Sequence, residues 1–238
     1  MKKKKIFALI IAVLLPAASY LLVKFYSERD VKMPPRYFFD SVVQVEKRGK
    51  MVDDTLWHSV RNISFTNQLG NKVSLDDAKG KIIVLDFFFT SCPTFCPGMA
   101  KAMKRLQQSF KMNDTSIVQF ISISIDPVRD SVPRLRQFAD RYKADHDTWW
   151  FVTGDKKDIY DFALQETKAS IADTEVDTGF IHTPLFFLLD RNRVVRGWYD
   201  GFDSVKQAQL VRDIPLLMLE KNKKKTFKDF LKELFERS

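Results

Sequence analysis

The feature that most constrains this fold is an apolar strand-like run followed by two cysteines and an amphipathic helix. Residues 81–90 read KIIVLDFFFT, whose length and content of β-branched and aromatic residues predict a buried strand. Residues 98–111 read GMAKAMKRLQQSFK and predict a helix with one apolar face, formed by Met99, Met103, Leu106 and Phe110. Between these elements stands TSCPTFCP, so Cys92 and Cys96 lie where a strand passes into a helix.

Strand-like and helix-like segments alternate along the rest of the domain. ISFTNQLGNKVSL predicts a hairpin, SIVQFISISID a second buried strand, and RLRQFADRYKA a helix opened by Ser131 and Pro133. Trp149 to Val152 predicts a short strand and DKKDIYDFALQETKA a helix. A hairpin follows, PLFFLLD and RVVRGWYD, and then the helix SVKQAQLVRDIPLLMLE. This order predicts an α/β, thioredoxin-like domain over residues 55–219, with a central mixed sheet flanked by helices.

The N-terminus predicts a membrane anchor in residues 1–24. Four lysines precede an uncharged run of eighteen residues from Ile6 to Val23, which is just long enough to cross a bilayer as a helix. The lysines favour a cytoplasmic N-terminus, which places the domain in the periplasm as part of a single-pass inner-membrane protein. A cleaved signal peptide is the alternative, because Ala17, Ala18 and Ser19 are small residues. Residues 25–54 are predicted to be a polar linker.

The net charge of +9 is concentrated at the two ends of the chain. Lys2 to Lys5 and residues 221–238 carry most of the excess, so the domain between them is nearly neutral and nucleic-acid binding is not expected. Residues 220–238 predict a basic amphipathic helix, with an apolar face of Phe227, Phe230, Leu231, Leu234 and Phe235. This face either packs on the domain or rests on an anionic membrane surface.

Cys92 and Cys96 are the only cysteines, which indicates chemistry rather than structural cross-linking. A disulfide between them would close a very small loop and would restrict the unfolded chain little. A thiolate at a helix N-terminus is stabilised by backbone N–H groups, so a lowered pKa is expected there. Three intervening residues suit two sulfurs that grip a metal and still permit a disulfide.

Three segments together resemble the Sco/SenC family: FFFTSCPTFCPGM, ISISIDPVRDSVPRLRQFADRY and IHTPLFFLLDRNRVV. The resemblance implies a membrane-anchored thioredoxin fold that delivers copper to the CuA centre of cytochrome c oxidase, with Cys92, Cys96 and His182 as ligands. The implied partner is the CuA-bearing subunit or another copper or thiol acceptor. Soft Cu(I) prefers thiolates and accepts imidazole, whereas structural zinc takes four protein ligands.

Asp86 and Pro184 resemble working thiol oxidoreductases more than Sco proteins. Asp86 stands six residues before Cys92, where thioredoxins keep a buried acid, and Pro184 occupies the position of their active-site proline. The alternative function is therefore a thiol-disulfide oxidoreductase that reduces an acceptor without carrying metal. Asp126 and Asp130 either support the metal loop or form a turn. His58 and His146 are interpreted as structural or solvated residues.

Overall fold

The computed structural model describes residues 12–23, 32–47, 49–111, 117–169, 171–173, 180–182 and 184–220, with backbone only at 47, 111, 171–173 and 180–182. The chain divides into two compact units, Met1–Met33 and Pro34–Ser238. In the first unit residues 12–23 form a helix, α1, whose side chains are exposed. Within the described ranges, no helix combines the length and apolar character required to span a bilayer. The predicted span begins at Ile6, outside those ranges.

The second unit opens with an antiparallel hairpin of β1, Phe39–Lys47, and β2, Lys50–Trp57. Gly49, with φ of +76°, lies in the turn between the strands. The hairpin occupies much of the predicted linker 25–54, so that prediction is corrected. Val43 and Val45 are half-buried while their neighbours are exposed, which is a strand alternation that the many charged residues concealed.

A seven-stranded mixed sheet forms the centre of the domain. Its strands are β3 (Ser64–Asn67), β4 (Lys72–Ser74), β5 (Ile82–Phe88), β6 (Val118–Ser124), β7 (Trp149–Thr153), β10 (Leu185–Leu189) and β11 (Val195–Asp200). Their order is β11-β10-β5-β6-β7-β3-β4, in which β5, β6 and β7 are parallel and the remaining neighbours antiparallel. A separate pair consists of β8, Ile171–Asp173, and β9, Phe180–His182.

The helices follow the predicted order. They are α2 (Cys96–Lys111), α3 (Val132–Arg141), α4 (Lys156–Asp161) and α5 (Ser204–Leu219), with a short 3-10 turn at Leu75–Ala78. The predicted helix after β7 is shorter than expected, because α4 passes into a π-helical turn at Phe162–Glu166. The predicted C-terminal helix lies outside the described residues from 221 onward.

The two central strands are buried on both faces. Every residue of β5 and β6 is buried, which requires cover on each side of the sheet. The Phe88 ring packs 5.2 Å from that of Phe138 in α3 and 5.5 Å from that of Phe151 in β7. All four predicted apolar residues of α2 are buried. The predicted mixed sheet flanked by helices is therefore confirmed.

Arg196 of β11 joins the first and the last described residues of the second unit. Its guanidinium is 2% exposed and donates hydrogen bonds to the carbonyls of Pro34 and Pro35. It also pairs with Asp190 at 2.9 Å and with Glu220, the last described residue. A buried guanidinium needs such partners to offset its lost hydration.

Candidate metal and thiol site

Cys92 and Cys96 lie together at the junction of β5 and α2. They do not form a disulfide with each other, and they are 7% and 1% exposed. The chain turns sharply after β5, because the Cys92 N–H donates to the Phe89 carbonyl at 3.2 Å. The Cys96 N–H, at the start of α2, then donates to the Cys92 sulfur at 3.4 Å. An N–H group at the N-terminus of α2 thus donates to the Cys92 side chain, in the way that such groups donate to an N-cap side chain.

The two sulfurs are electrostatically coupled. The hydrogen bond with Cys92 and then burial raise the pKa of the Cys96 thiol far above its ordinary value, and the nearby Asp86 adds to this. The predicted lowering of the pKa at the helix N-terminus is therefore wrong for Cys96. The reason is that Cys96 donates to the neighbouring sulfur, which favours its protonated form. The Thr94 hydroxyl lies 3.6 Å from the Cys92 sulfur.

Asp86 is a buried carboxyl group on the central strand of the site. It pairs in register with Ser122 of β6, whose hydroxyl bonds to it and also accepts from Trp149 Nε1 at 2.9 Å. One carboxyl oxygen, Oδ1, has no hydrogen-bond partner in the described part of the chain. Burial raises the pKa of Asp86 to about 7. A group with this pKa takes up or releases a proton near neutral pH.

Asp130 fixes the segment that leads into the cysteine loop. Its fully buried carboxylate accepts from the Thr90 N–H at 3.0 Å, from the Thr90 hydroxyl at 2.5 Å and from the Ser124 hydroxyl at 2.6 Å. Burial raises the pKa of Asp130. Asp126 instead pairs with Arg129, and its carbonyl accepts from the Asp130 N–H. Asp126 therefore forms a turn, whereas Asp130 supports the segment that leads into the cysteine loop.

The remaining predicted site residue, His182, ends strand β9, where its backbone pairs with Ile171. Its side chain lies outside the described residues, so its role as a ligand stays a prediction. Among the described side chains, no group of three or more His, Cys, Asp or Glu is arranged to hold a metal ion. Pro184 accepts from the Gly201 N–H at 2.8 Å, just before β10.

The other two histidines make polar contacts elsewhere. His146 contacts Gln68 at 3.0 Å and Asp140 at 3.2 Å. His58 lies between Asp40 at 2.7 Å and Glu166 at 2.8 Å, a cluster that the sequence did not indicate. His58 and Glu166 are 108 residues apart, and no local motif joins the cluster.

The donor set suits a soft, weakly hydrated ion or a disulfide. Two sulfurs approach one another at the end of a buried strand, and the surrounding side chains are mainly apolar. Thiolates are the preferred ligands of Cu(I), and binding of such an ion requires the release of the thiol protons. The same pair also suits exchange with the disulfide of an acceptor protein, in which Cys92 and Cys96 form a disulfide, the acceptor gains two thiols, and Asp86 lies nearby to pass a proton.

Comparison with known proteins identifies the family of this chain. Residues 58–218 match the family model SCO1/SenC. The SCO1 protein homolog of Bacillus subtilis (strain 168) is 34% identical over 167 residues, 70% of this chain and 86% of the relative. BsSco is described as a member of the Sco family of cytochrome c oxidase assembly proteins with a disulfide switch. Its structure has a TM-score of 0.61 and 34% identity, and the match covers 70% of this chain and 96% of BsSco.

A more distant solved structure shows the same fold. Arabidopsis thaliana ScoI, solved with copper bound, has a TM-score of 0.56 and 22% identity, covering 66% of this chain and 99% of that one. The matched family region spans both cysteines, the Asp126–Asp130 turn and His182. With its thioredoxin-like sheet and paired thiols, this chain belongs to the SCO1/SenC family.

Proposed function

We propose that this chain binds copper through Cys92, Cys96 and His182 and delivers it for assembly of the CuA centre of cytochrome c oxidase. The observation that carries the proposal is the contact between the two reduced cysteines, with the Cys96 N–H 3.4 Å from the Cys92 sulfur. Copper is the cargo, so the site has to hold it and release it. Two thiolates and one imidazole form a low-coordinate set that a competing protein ligand could displace stepwise.

The surrounding residues prepare the loop for this role. Asp130 holds Thr90, two residues before Cys92, and the start of α2 holds Cys96. Because Cys96 remains protonated in the metal-free protein, copper binding releases its proton. A loop fixed at both ends needs little rearrangement when the metal arrives, which favours rapid exchange.

The proposed partner is the CuA-bearing subunit of the oxidase or another copper or thiol acceptor. Support comes from the description of BsSco as an oxidase assembly protein. We also propose that residues 1–24 anchor the protein in the inner membrane, with the N-terminus in the cytoplasm and the domain in the periplasm. The four N-terminal lysines support this orientation.

The C-terminal segment offers a second proposed membrane contact. Residues 221–238 hold seven Lys or Arg against three Asp or Glu, and their aromatic residues recur at helical spacing. Without the proposed anchor, residues 25–238 should bind anionic vesicles in a salt-sensitive way, and residues 25–220 should not bind. Equal binding by both proteins would instead favour packing of the segment on the domain.

Disulfide exchange without metal is the second candidate function, and Asp86 is the observation that favours it. Its carboxyl group is buried near Cys96 and has a pKa of about 7, which suits proton transfer to and from a thiol. If this function operates, Asp86→Asn should slow the reduction of a model disulfide and leave copper affinity nearly unchanged. Unchanged oxidase assembly in an Asp86→Asn strain would count against it.

Copper stoichiometry and affinity of the full-length chain in neutral detergent test the main proposal. Cys92→Ala or Cys96→Ala should abolish tight binding of one copper ion. His182→Ala should weaken it and affect Cu(II) most, because imidazole matters more to the harder ion. His146→Ala is the matched control, since His146 contacts Gln68 and Asp140 instead. Retained stoichiometry after loss of either cysteine would refute the ligand assignment.

A further inference from the structure

One face of α3 borders the cysteine loop and presents two arginines. Arg134, Gln137, Phe138 and Arg141 recur at helical spacing and line an open cavity of about 240 Å³ together with Thr90 and Ser91. Phe138 is buried and forms the floor, whereas both arginines are exposed. We call this cavity the α3 cleft.

The arginines of the α3 cleft differ from their neighbours in charge pairing. Arg129 pairs with Asp126, and Arg136 pairs with Asp140 at 3.1 Å. Within the described residues, neither Arg134 nor Arg141 has a carboxylate at ion-pair distance. The cleft therefore holds two guanidinium groups whose forks remain available to an outside anion.

Helix stability does not account for Arg134. It lies in the first turn of α3, which contains no acidic residue. The positive end of the helix macrodipole disfavours a cation in this turn. Arg141, in the last turn, is favourable to the helix. Helix stability does not explain why Arg134 lies on the same face as Arg141. A partner that contacts both side chains would account for the arrangement.

The position of the cleft indicates what kind of partner this is. Ser91 adjoins Cys92, whose side chain is only 7% exposed. A protein that takes copper from this sulfur must therefore approach closely and cover Thr90 and Ser91. The two arginines flank that approach, and guanidinium forks bind carboxylates in a bidentate manner.

We propose that the α3 cleft docks an acidic segment of the protein that exchanges copper with Cys92. The docked segment carries at least two carboxylate side chains, one for Arg134 and one for Arg141. The identity of the partner rests on the proposed copper function. The binding of carboxylates by the two arginines does not depend on that function. Charge pairing at such a rim chiefly accelerates encounter and sets orientation.

Peptide binding to the copper-free, full-length chain in neutral detergent tests the cleft. The probes are a fluorescent cysteine-free peptide rich in Glu and the same peptide with Gln at every Glu. The Glu peptide should bind the wild type more tightly, with a preference that declines as salt rises. Arg134→Gln with Arg141→Gln should weaken Glu-peptide binding about tenfold. Arg136→Gln is the matched control, because this arginine already pairs with Asp140.

The outcomes separate the cleft from the copper site. Equal binding of the two peptides by the wild type, or an undiminished preference in the double variant, would overturn the docking proposal. Copper stoichiometry of the double variant should equal that of the wild type. If the wild-type protein bound no copper, the proposed function would be refuted. Tighter binding of the Glu peptide than of the Gln peptide would still support the carboxylate site. Transfer of Cu(I) to a dithiol peptide flanked by Glu should be slower from the double variant than from the wild type, and unchanged from the Arg136→Gln control.

Discussion

The Asp130 carboxylate receives two hydrogen bonds from Thr90, one from its backbone N–H and one from its hydroxyl. Asp130→Ala would leave these donors and the Ser124 hydroxyl unpaired in a buried site. We expect a loss of about 2–3 kcal/mol in the free energy of unfolding. Copper affinity should fall about 10- to 100-fold, which is typical when a residue that orients metal ligands through hydrogen bonds is lost.

Thr90→Val separates the two hydrogen bonds. It removes the hydroxyl and keeps the N–H that bonds to Asp130, so the loss in stability should be smaller than for Asp130→Ala. Urea unfolding and copper titration measure both effects. Unaltered copper affinity in Asp130→Ala, despite lower stability, would show that the carboxylate serves the fold alone.

Asp86 should make stability depend on pH. Burial raises its pKa from 3.8 to about 7, so the folded state retains a proton that the unfolded state loses. Stability contributed by the protonated group is complete below pH 3.8 and is lost as the pH rises towards 7. At about 1.4 kcal/mol per pKa unit, the shift corresponds to about 4 kcal/mol.

Asp86→Asn tests this expectation, because the amide is neutral at every pH. The variant should gain stability relative to the wild type above pH 7, and the difference should shrink as the pH falls towards 4. Chemical denaturation at several pH values provides the measurement. A difference that is the same at pH 4 and pH 8 would rule out titration of this carboxyl group.

The His58 cluster predicts a second and weaker pH effect. Burial lowers the pKa of His58, but hydrogen bonds with Glu166 and Asp40 outweigh burial and raise it overall. The contribution of the charged ring is therefore present below pH 6.5 and lost above the raised pKa. His58→Gln should reduce stability by less than about 1 kcal/mol at pH 6, since solvent screens the pairs, and by little at pH 9. A larger loss at high pH would contradict this.

The Phe202 ring lies against the first turn of α2. A Cβ atom added at Gly98 would stand 2.6 Å from this ring. Gly98→Ala should therefore displace the exposed Phe202 ring, and the lost contact should offset most of the gain in helix propensity. In a Phe202→Ala background the same change should stabilise the protein, because alanine favours helix over glycine by about 1 kcal/mol. A double-mutant cycle with no coupling would exclude this contact.

The central elements and the position of the cysteine pair between them were predictable because they are encoded locally. β5, the cysteine loop and α2 follow one another within about thirty residues, and each has its own periodicity. The direction of the Cys96 pKa shift was not predictable, because it depends on a donated hydrogen bond and burial rather than on helix position. The β1–β2 hairpin was concealed by charged residues on its exposed face.

Long-range polar contacts were predictable only in part. The support given by Asp130 was one of two alternatives, and the 40-residue separation from Thr90 left the choice to the folded structure. The His58 cluster and the α3 cleft join residues from distant segments, for which sequence spacing carries no signal.

Arg196 ties the first and the last described residues of the second unit to one strand. Pro34 and Glu220 contact the same guanidinium, so a change at either residue reaches the other through β11. β11 is the edge strand, and β10 separates it from β5, whose end carries the cysteine loop. Arg196 thus fixes both described ends of the second unit at the margin of the sheet, two strands away from the strand that leads to the sulfur pair.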